Sequence, residues 1–277
     1  MTVKIISDSL GDVPSEVAKE LDITIIPVNV NFGTERYRDG IDLTTEQFYQ
    51  KLTQSKILPT TAVPHPHVFA EVYEKSEGNE IVVITTSHKF SAAYKTAVQA
   101  ATLSKSKDRI EVIDSLSGAM GAGLIVIAAA KAAKAGANLD EVVKLTKRNI
   151  PRSEIRMAFD TLEYLKRGGR IGRAQALVGS MLRINPVLGI KDGEAYPFAR
   201  ERSRGRAIDY LYQFAISFSH IDEMAVEDAT TPQDAEKLVE RLSAKFPKER
   251  IYRSKVSPVV GAHVGPRVLS VAVLGDR

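Results

Sequence analysis

Four short runs in the first half of the chain, residues 3–6, 23–32, 81–85 and 110–113, are rich in Val and Ile. Unbroken apolar runs with many β-branched residues suit strands buried on both faces, as in a parallel sheet. Each is followed by polar punctuation and then by apolar residues at helical spacing, the strand, turn and helix alternation of an α/β layer. Thr44 with Gln47, and Asn138 with Glu141, match the pattern of a helix capping pair, while Pro14 and Pro66 suit a first helical turn. The longest apolar run, residues 119–130, is shorter than the roughly 20 residues that span a bilayer and holds two glycines. It predicts a buried helix.

The pattern changes around Pro151, which predicts a boundary between one unit of residues 1–152 and another of residues 153–277. Residues 161–166 predict a helix stopped by Gly168 and Gly169, and Asp192-Gly193 predicts the turn of an antiparallel hairpin. Further helices over 207–219 and 232–245, with strands near Ala225, Ile251 and Val271, predict an α+β layer. The expected fold class is therefore α/β with two domains. A mostly parallel N-terminal sheet domain joins a C-terminal α+β domain whose sheet is antiparallel.

Composition narrows the function classes. A chain of 277 residues with 44% hydrophobic and 26% charged positions is that of a globular protein large enough for two cores. Cysteine is absent, which excludes disulfides, thiolate metal sites and cysteine nucleophiles, and fits a reducing cytoplasm. No basic segment leads into an apolar one after Met1, so no export signal is expected. Lys and Arg total 38 against 34 Asp and Glu, an excess too small to indicate nucleic acid by charge.

Common catalytic and nucleotide-binding motifs are missing. There is no Walker loop, no G-x-G-x-x-G after a strand and no G-x-S-x-G nucleophile turn. Gly118, Gly121 and Gly123 have the wrong spacing for a phosphate cradle and are expected to allow close helix packing. His65 and His67 lack a nearby third ligand, so no metal is expected there. Asp8, Asp39 and Asp42 keep open a rival reading, a free-standing metal-dependent phosphotransferase or other small-acid enzyme, although capping and turn formation account for most loop aspartates.

Four stretches combine small polar residues with special backbone geometry: SDSLGD at 7–12, PTT at 59–61, TTSHKFSAAY at 85–94 and GAHVGP at 261–266. In open α/β sheets ligands bind beyond the carboxyl ends of the strands, so these loops are expected to converge. Ser91 stands where a helix should begin, either as a cap for its own helix or facing an anion at the positive helix end.

These stretches, together with Y-x-D-G-x-D at 37–42, VIDS at 112–115, DTLEYLKRGGRI at 160–171 and INPVLGIKDG at 184–193, resemble the DegV family along essentially the whole chain. That family includes the fatty-acid-binding subunits of bacterial fatty acid kinase. The resemblance implies a binding protein rather than an enzyme. A long-chain fatty acid such as palmitate, stearate or oleate would lie in a tunnel between the domains, with no cofactor and no metal. Thr61, Ser91 and His263 match the family's head-group positions, and Arg170 matches a residue near them. The family usually has Gly where this chain has Ala92, and G-P-G where it has Gly265-Pro266-Arg267. If residue 92 needed a positive φ, its Cβ would be strained. The implied partner is the kinase catalytic subunit, which would phosphorylate the exposed carboxylate. Arg200, Arg202, Arg204 and Arg206 form a basic run suited to docking it. Nucleic acid is not an expected partner, and membrane contact is expected to be at most transient.

Overall fold

The computed structural model describes residues 2–76, 80–105, 109–180 and 184–277. In chain order the first half contains β1 (Val3–Asp8), α1 (Ser15–Glu20), β2 (Ile23–Ile26), β3 (Asn29–Phe32), β4 (Glu35–Arg38), α2 (Thr45–Gln54), β5 (Thr60–Ala62) and α3 (Pro66–Lys75). It continues with β6 (Glu80–Thr85), α4 (Ala93–Leu103), β7 (Ile110–Asp114), α5 (Met120–Lys134) and α6 (Leu139–Asn149). The second half contains β8 (Ser153–Ala158), α7 (Glu163–Arg167), β9 (Asn185–Lys191), β10 (Glu194–Glu201) and α8 (Arg204–Ile216). It ends with β11 (His220–Asp228), α9 (Pro232–Ser243), β12 (Ile251–Lys255), α10 (Pro258–Val264) and β13 (Leu269–Asp276).

The first sheet has the order β2-β1-β6-β7 and is wholly parallel. Alternate residues of β1 and β6 enter different cores. Ile5, Val82 and Ile84 pack on the side of α5, while Ile6, Ile81 and Val83 pack with Phe69 and Tyr73 of α3. Burial on both faces explains why these strands read as continuous apolar runs. The run at 23–32 is one strand in sequence but two in space. Pro27 cannot donate to a ladder, so β2 ends before it and β3 pairs instead with β4 and β5 in a small antiparallel sheet.

The second sheet has the order β10-β9-β8-β13-β11-β12 and is antiparallel except for the β11–β12 pair. Asp192 and Gly193 both adopt positive φ in the β9–β10 turn, as a two-residue hairpin requires. Helix α5 is the expected apolar helix and packs against strands of both sheets. The glycines at its start permit this closeness. A Cβ on Gly123 would fall on the Gly11 carbonyl oxygen, and one on Gly121 would meet Ile155 at 3.2 Å. Both capping boxes form at α2 and α6. Pro66 occupies the first turn of α3, whereas Pro14 stands one position outside α1.

Candidate ligand site

The carboxyl ends of β1 and β6 lie where the two sheets approach each other. Beyond β1 the chain makes a tight turn over Ser9–Gly11, held by Asp8, which accepts from Leu10 N at 3.0 Å and from Thr86 N and Oγ1 at 2.9 Å. This places Leu10 over a cavity with about 620 Å³ of empty space. Its wall is almost entirely apolar, with Phe90 and Ala119 from the first half facing Met157, Phe159, Leu188 and Ile190 from the second. The apolar lining with a few convergent polar groups is that of a small-molecule pocket.

A second, more polar depression of about 880 Å³ opens beside it. Thr61, Ser91, Ala92, Arg170 and His263 all border this depression, although they come from four separate parts of the chain. Thr61 lies within β5 and His263 in the last turn of α10, so two of the four stretches expected as loops belong to regular elements. Both elements are too short for their periodicity to stand out in the sequence. Helix α4 begins at Ala93, two residues after Ser91, and the Ser91 hydroxyl accepts from Ala93 N at 3.2 Å. Ala92 has φ of −75°, so the side chain that replaces the family's glycine brings no backbone strain.

His263 organises the polar corner. Its Nε2 is 2.9 Å from Thr61 Oγ1, while its buried Nδ1 has no hydrogen-bond partner. Burial, followed by the positive charge of Arg170, pushes the imidazole down to about 4, so it is neutral near pH 7. Arg170 donates through Nε to Phe90 O at 3.0 Å and through Nη1 to Gly168 O at 2.6 Å. It therefore fixes the backbone around the corner as well as charging it. Gly168, read from sequence only as a helix stop, has a second role, because any Cβ there would fall on His263 Nδ1 and lie 3.0 Å from Tyr164 O. The paired glycines are the signal that could have pointed to this close approach. Leu10 and Phe90 were also missed as wall residues, although both sit in the loops singled out.

The basic run at 200–206 lies apart from these pockets and is not uniform. Arg200, Arg202 and Arg206 are exposed. Arg204 is instead held within the fold, by Asp234 at 3.1 Å, Asp160 at 3.2 Å and the Arg267 carbonyl at 2.6 Å. Arg267 itself pairs with Asp160. Of the three aspartates read as turn formers, Asp8 caps its turn and Asp42 binds Arg38, but Asp39 leaves Oδ2 buried without a partner. Among the described residues no group of three or more acidic or His side chains is placed to hold a metal ion. Among them, too, no helix is long and apolar enough to cross a membrane.

The fold and its pockets define a class, the mixed α/β proteins with an apolar cavity walled by residues from both halves of the chain. Over residues 2–276 the chain matches a family model described as "Uncharacterised protein, DegV family". A DegV domain-containing protein of Caldanaerobacter subterraneus subsp. tengcongensis is 36% identical over 276 residues, covering 97% of each chain. The chain belongs to the DegV family. Among solved structures, a DegV family protein from Thermus thermophilus, described with fatty acid binding, superposes with a TM-score of 0.91 at 27% identity, covering 99% of this chain and 100% of that one. A stearic acid-binding protein from Eubacterium ventriosum superposes with a TM-score of 0.87 at 26% identity, covering 99% of this chain and 98% of that one.

Proposed function

We propose that the chain is a cytoplasmic carrier that buries the tail of one long-chain fatty acid and holds its carboxylate at the polar corner. One observation carries this reading: Leu10, Phe90, Arg170 and His263 line both the apolar cavity and the polar depression. A ligand passing that shared wall must be apolar on one side and polar on the other. The fatty acid binding of the Thermus and Eubacterium proteins supports the same ligand class.

The tail supplies affinity and the head supplies orientation. Burying a chain of about sixteen carbons, at about 0.8 kcal/mol per CH₂, gains on the order of 10 kcal/mol before ordering costs. Hydrogen bonds to a charged group return about 1.5 to 3 kcal/mol each. Hydroxyls of Thr61 and Ser91, with His263 and Arg170, offset the cost of removing the carboxylate from water. Ala92 borders the head group through its backbone. The neutral imidazole accepts or donates without adding a second full charge beside Arg170.

In this reading the protein catalyses nothing alone, and a kinase catalytic subunit phosphorylates the carboxylate that it presents. Residues 1–152 and 153–277 act as two domains with the ligand between them. Arg200, Arg202 and Arg206 are the docking residues, while Arg204 serves the fold. Reversal of Arg200 and Arg202 to Glu is expected to slow kinase-dependent phosphorylation most at low salt, leaving lipid content intact. Equal rates at every salt concentration would remove the docking role. Carriage itself is tested by native mass spectrometry and lipid extraction of the purified chain. One fatty acid per chain is expected. A ligand-free mass with no fatty acid in the extract overturns the reading.

A further inference from the structure

A third depression, with about 1210 Å³ of empty space open to solvent, lies between the β6–α4 loop, the first turn of α4, Asp114 at the end of β7 and Gly169. It shares Phe90, Ser91, Ala92 and Arg170 with the polar corner. With the apolar cavity it shares only Phe90 and Arg170. The corner, which shares Leu10, Phe90, Arg170 and His263 with the cavity, therefore stands between an apolar space and an open one. A fatty acid accounts for the first two spaces but not for the third.

The third space is the cationic one. Lys89, Lys95 and Arg170 line it together with His88, against a single acid, Asp114. Asp114 is already engaged, bonded to His88 Nδ1 at 2.5 Å and accepting from Leu116 N at 2.9 Å. Outside the depression, Glu194 approaches Lys89 Nζ at 3.6 Å, but Arg173 holds the same carboxylate oxygen at 2.9 Å. Lys95 is exposed and pairs with no carboxylate among the described residues. Arg170 spends Nε and Nη1 on backbone carbonyls, which leaves Nη2 as a donor nitrogen that is not buried. The first turn of α4, which carries Tyr94 and Lys95, adds the positive end of the helix dipole.

We propose that this depression holds the phosphoryl group of a fatty acyl phosphate whose tail and carbonyl occupy the cavity and the corner. The inference rests on the carrier reading and assigns the part of the product that the corner leaves out. In the transfer, one carboxylate oxygen bonds to the terminal phosphorus of a nucleoside triphosphate brought by the kinase. The bridging P–O bond breaks, and the nucleoside diphosphate leaves with its electron pair. No proton has to move. The head group thereby goes from one negative charge to roughly two. The corner offers one permanent cation, Arg170, beside a neutral His263, so the added charge calls for further cations. Lys89 and Lys95 supply them, and Arg170 borders both spaces. Charge-assisted hydrogen bonds from Lys and Arg are the ordinary means of holding phosphate.

The test uses the delipidated whole chain and two ligands, palmitate and the phosphonate analogue of palmitoyl phosphate in which a methylene replaces the bridging oxygen. Displacement of a fluorescent fatty acid measures both. Lys89→Ala combined with Lys95→Ala should weaken the phosphonate by about tenfold and palmitate by less than about twofold. The difference should shrink as salt rises, since both lysines are exposed. Equal weakening of both ligands, or unchanged affinity for both, overturns the subsite while carriage stands. A wild-type chain that binds neither ligand overturns carriage and the subsite with it. Inorganic phosphate at the same concentration should leave the phosphonate bound. Displacement by it would make the depression a site for free phosphate and overturn the assignment to an acyl phosphate.

Discussion

Leu10 and Asp12 stand two positions apart around one tight turn and face opposite environments. Leu10 covers an apolar cavity whose polar rim keeps His263 neutral and bonded to Thr61. Asp12 covers a cleft whose carboxyl groups are buried without full partners. Both regions hold titratable groups away from their ordinary pKa, in opposite senses. Burial disfavours whichever form is charged, so it lowers the base and raises the acids. The turn separating them is rigid because Asp8 is bonded on one side and Gly123 packs on the other.

The largest effect should come from breaking that turn. In Gly123→Ala the new Cβ meets the backbone carbonyl of Gly11, which cannot rotate away as a side chain can. Overpacking costs about 1 to 3 kcal/mol, and a backbone clash belongs at the upper end. A fall of several degrees in melting temperature is expected. An unchanged melting curve would mean that the turn shifts freely.

The opposite pKa shifts give a comparable effect with pH. His263 titrates near 4 in the fold against 6.5 as its ordinary value. Below 6.5 the unfolded chain binds the extra proton, so the stability present at higher pH is lost as pH falls towards 4. The ceiling is about 3 kcal/mol, from about 1.4 kcal/mol per unit. Asp39 and Glu227, raised to about 7, act in reverse: the stability linked to their protonated forms is present near pH 4 and lost as pH rises towards 7. Denaturant midpoints between about pH 4.5 and 6.5 separate the two regions. Asp39→Asn should steepen the loss on acidification, and His263→Gln should flatten or reverse it. Identical profiles in wild type and both variants would contradict the opposition.

At the corner itself, Thr61→Val should weaken fatty acid binding by about tenfold to a hundredfold, the loss of one hydrogen bond to a charged group, and should also cost some stability because His263 Nε2 loses its partner. A displacement titration with a fluorescent fatty acid checks this, and unchanged affinity would remove Thr61 from the head group. The smallest effects lie furthest away. Arg202→Glu, on an exposed side chain, should change stability by less than about 0.5 kcal/mol, while Arg204→Ala should cost about 1 to 3 kcal/mol by removing the donor to Asp234 and to the Arg267 carbonyl. Equal melting temperatures in the two variants would show that the Arg204 network contributes nothing.

Local signals were legible wherever neighbours in sequence decide the structure. Thr44 with Gln47 and Asn138 with Glu141 mark real helix starts, and Asp192-Gly193 marks a real hairpin, because each rule acts over a few residues. Interactions across the chain were not legible. Thr61 and His263 are separated by 202 positions, and the motif resemblance alone, not periodicity, joined them. Arg204 looked free because Asp160, Asp234 and the Arg267 carbonyl reach it from elsewhere. Asp39 looked like an ordinary turn residue, since a missing partner leaves no trace in sequence.

The most direct test of the account follows the carboxyl carbon of bound [1-¹³C]palmitate by NMR. One bound resonance per chain is expected. It should shift in Thr61→Val and stay in place in Asp12→Asn, because the corner holds the head group and the cleft behind the turn does not. A bound signal that ignores Thr61→Val, or moves instead with Asp12→Asn, would contradict the placement of the carboxylate.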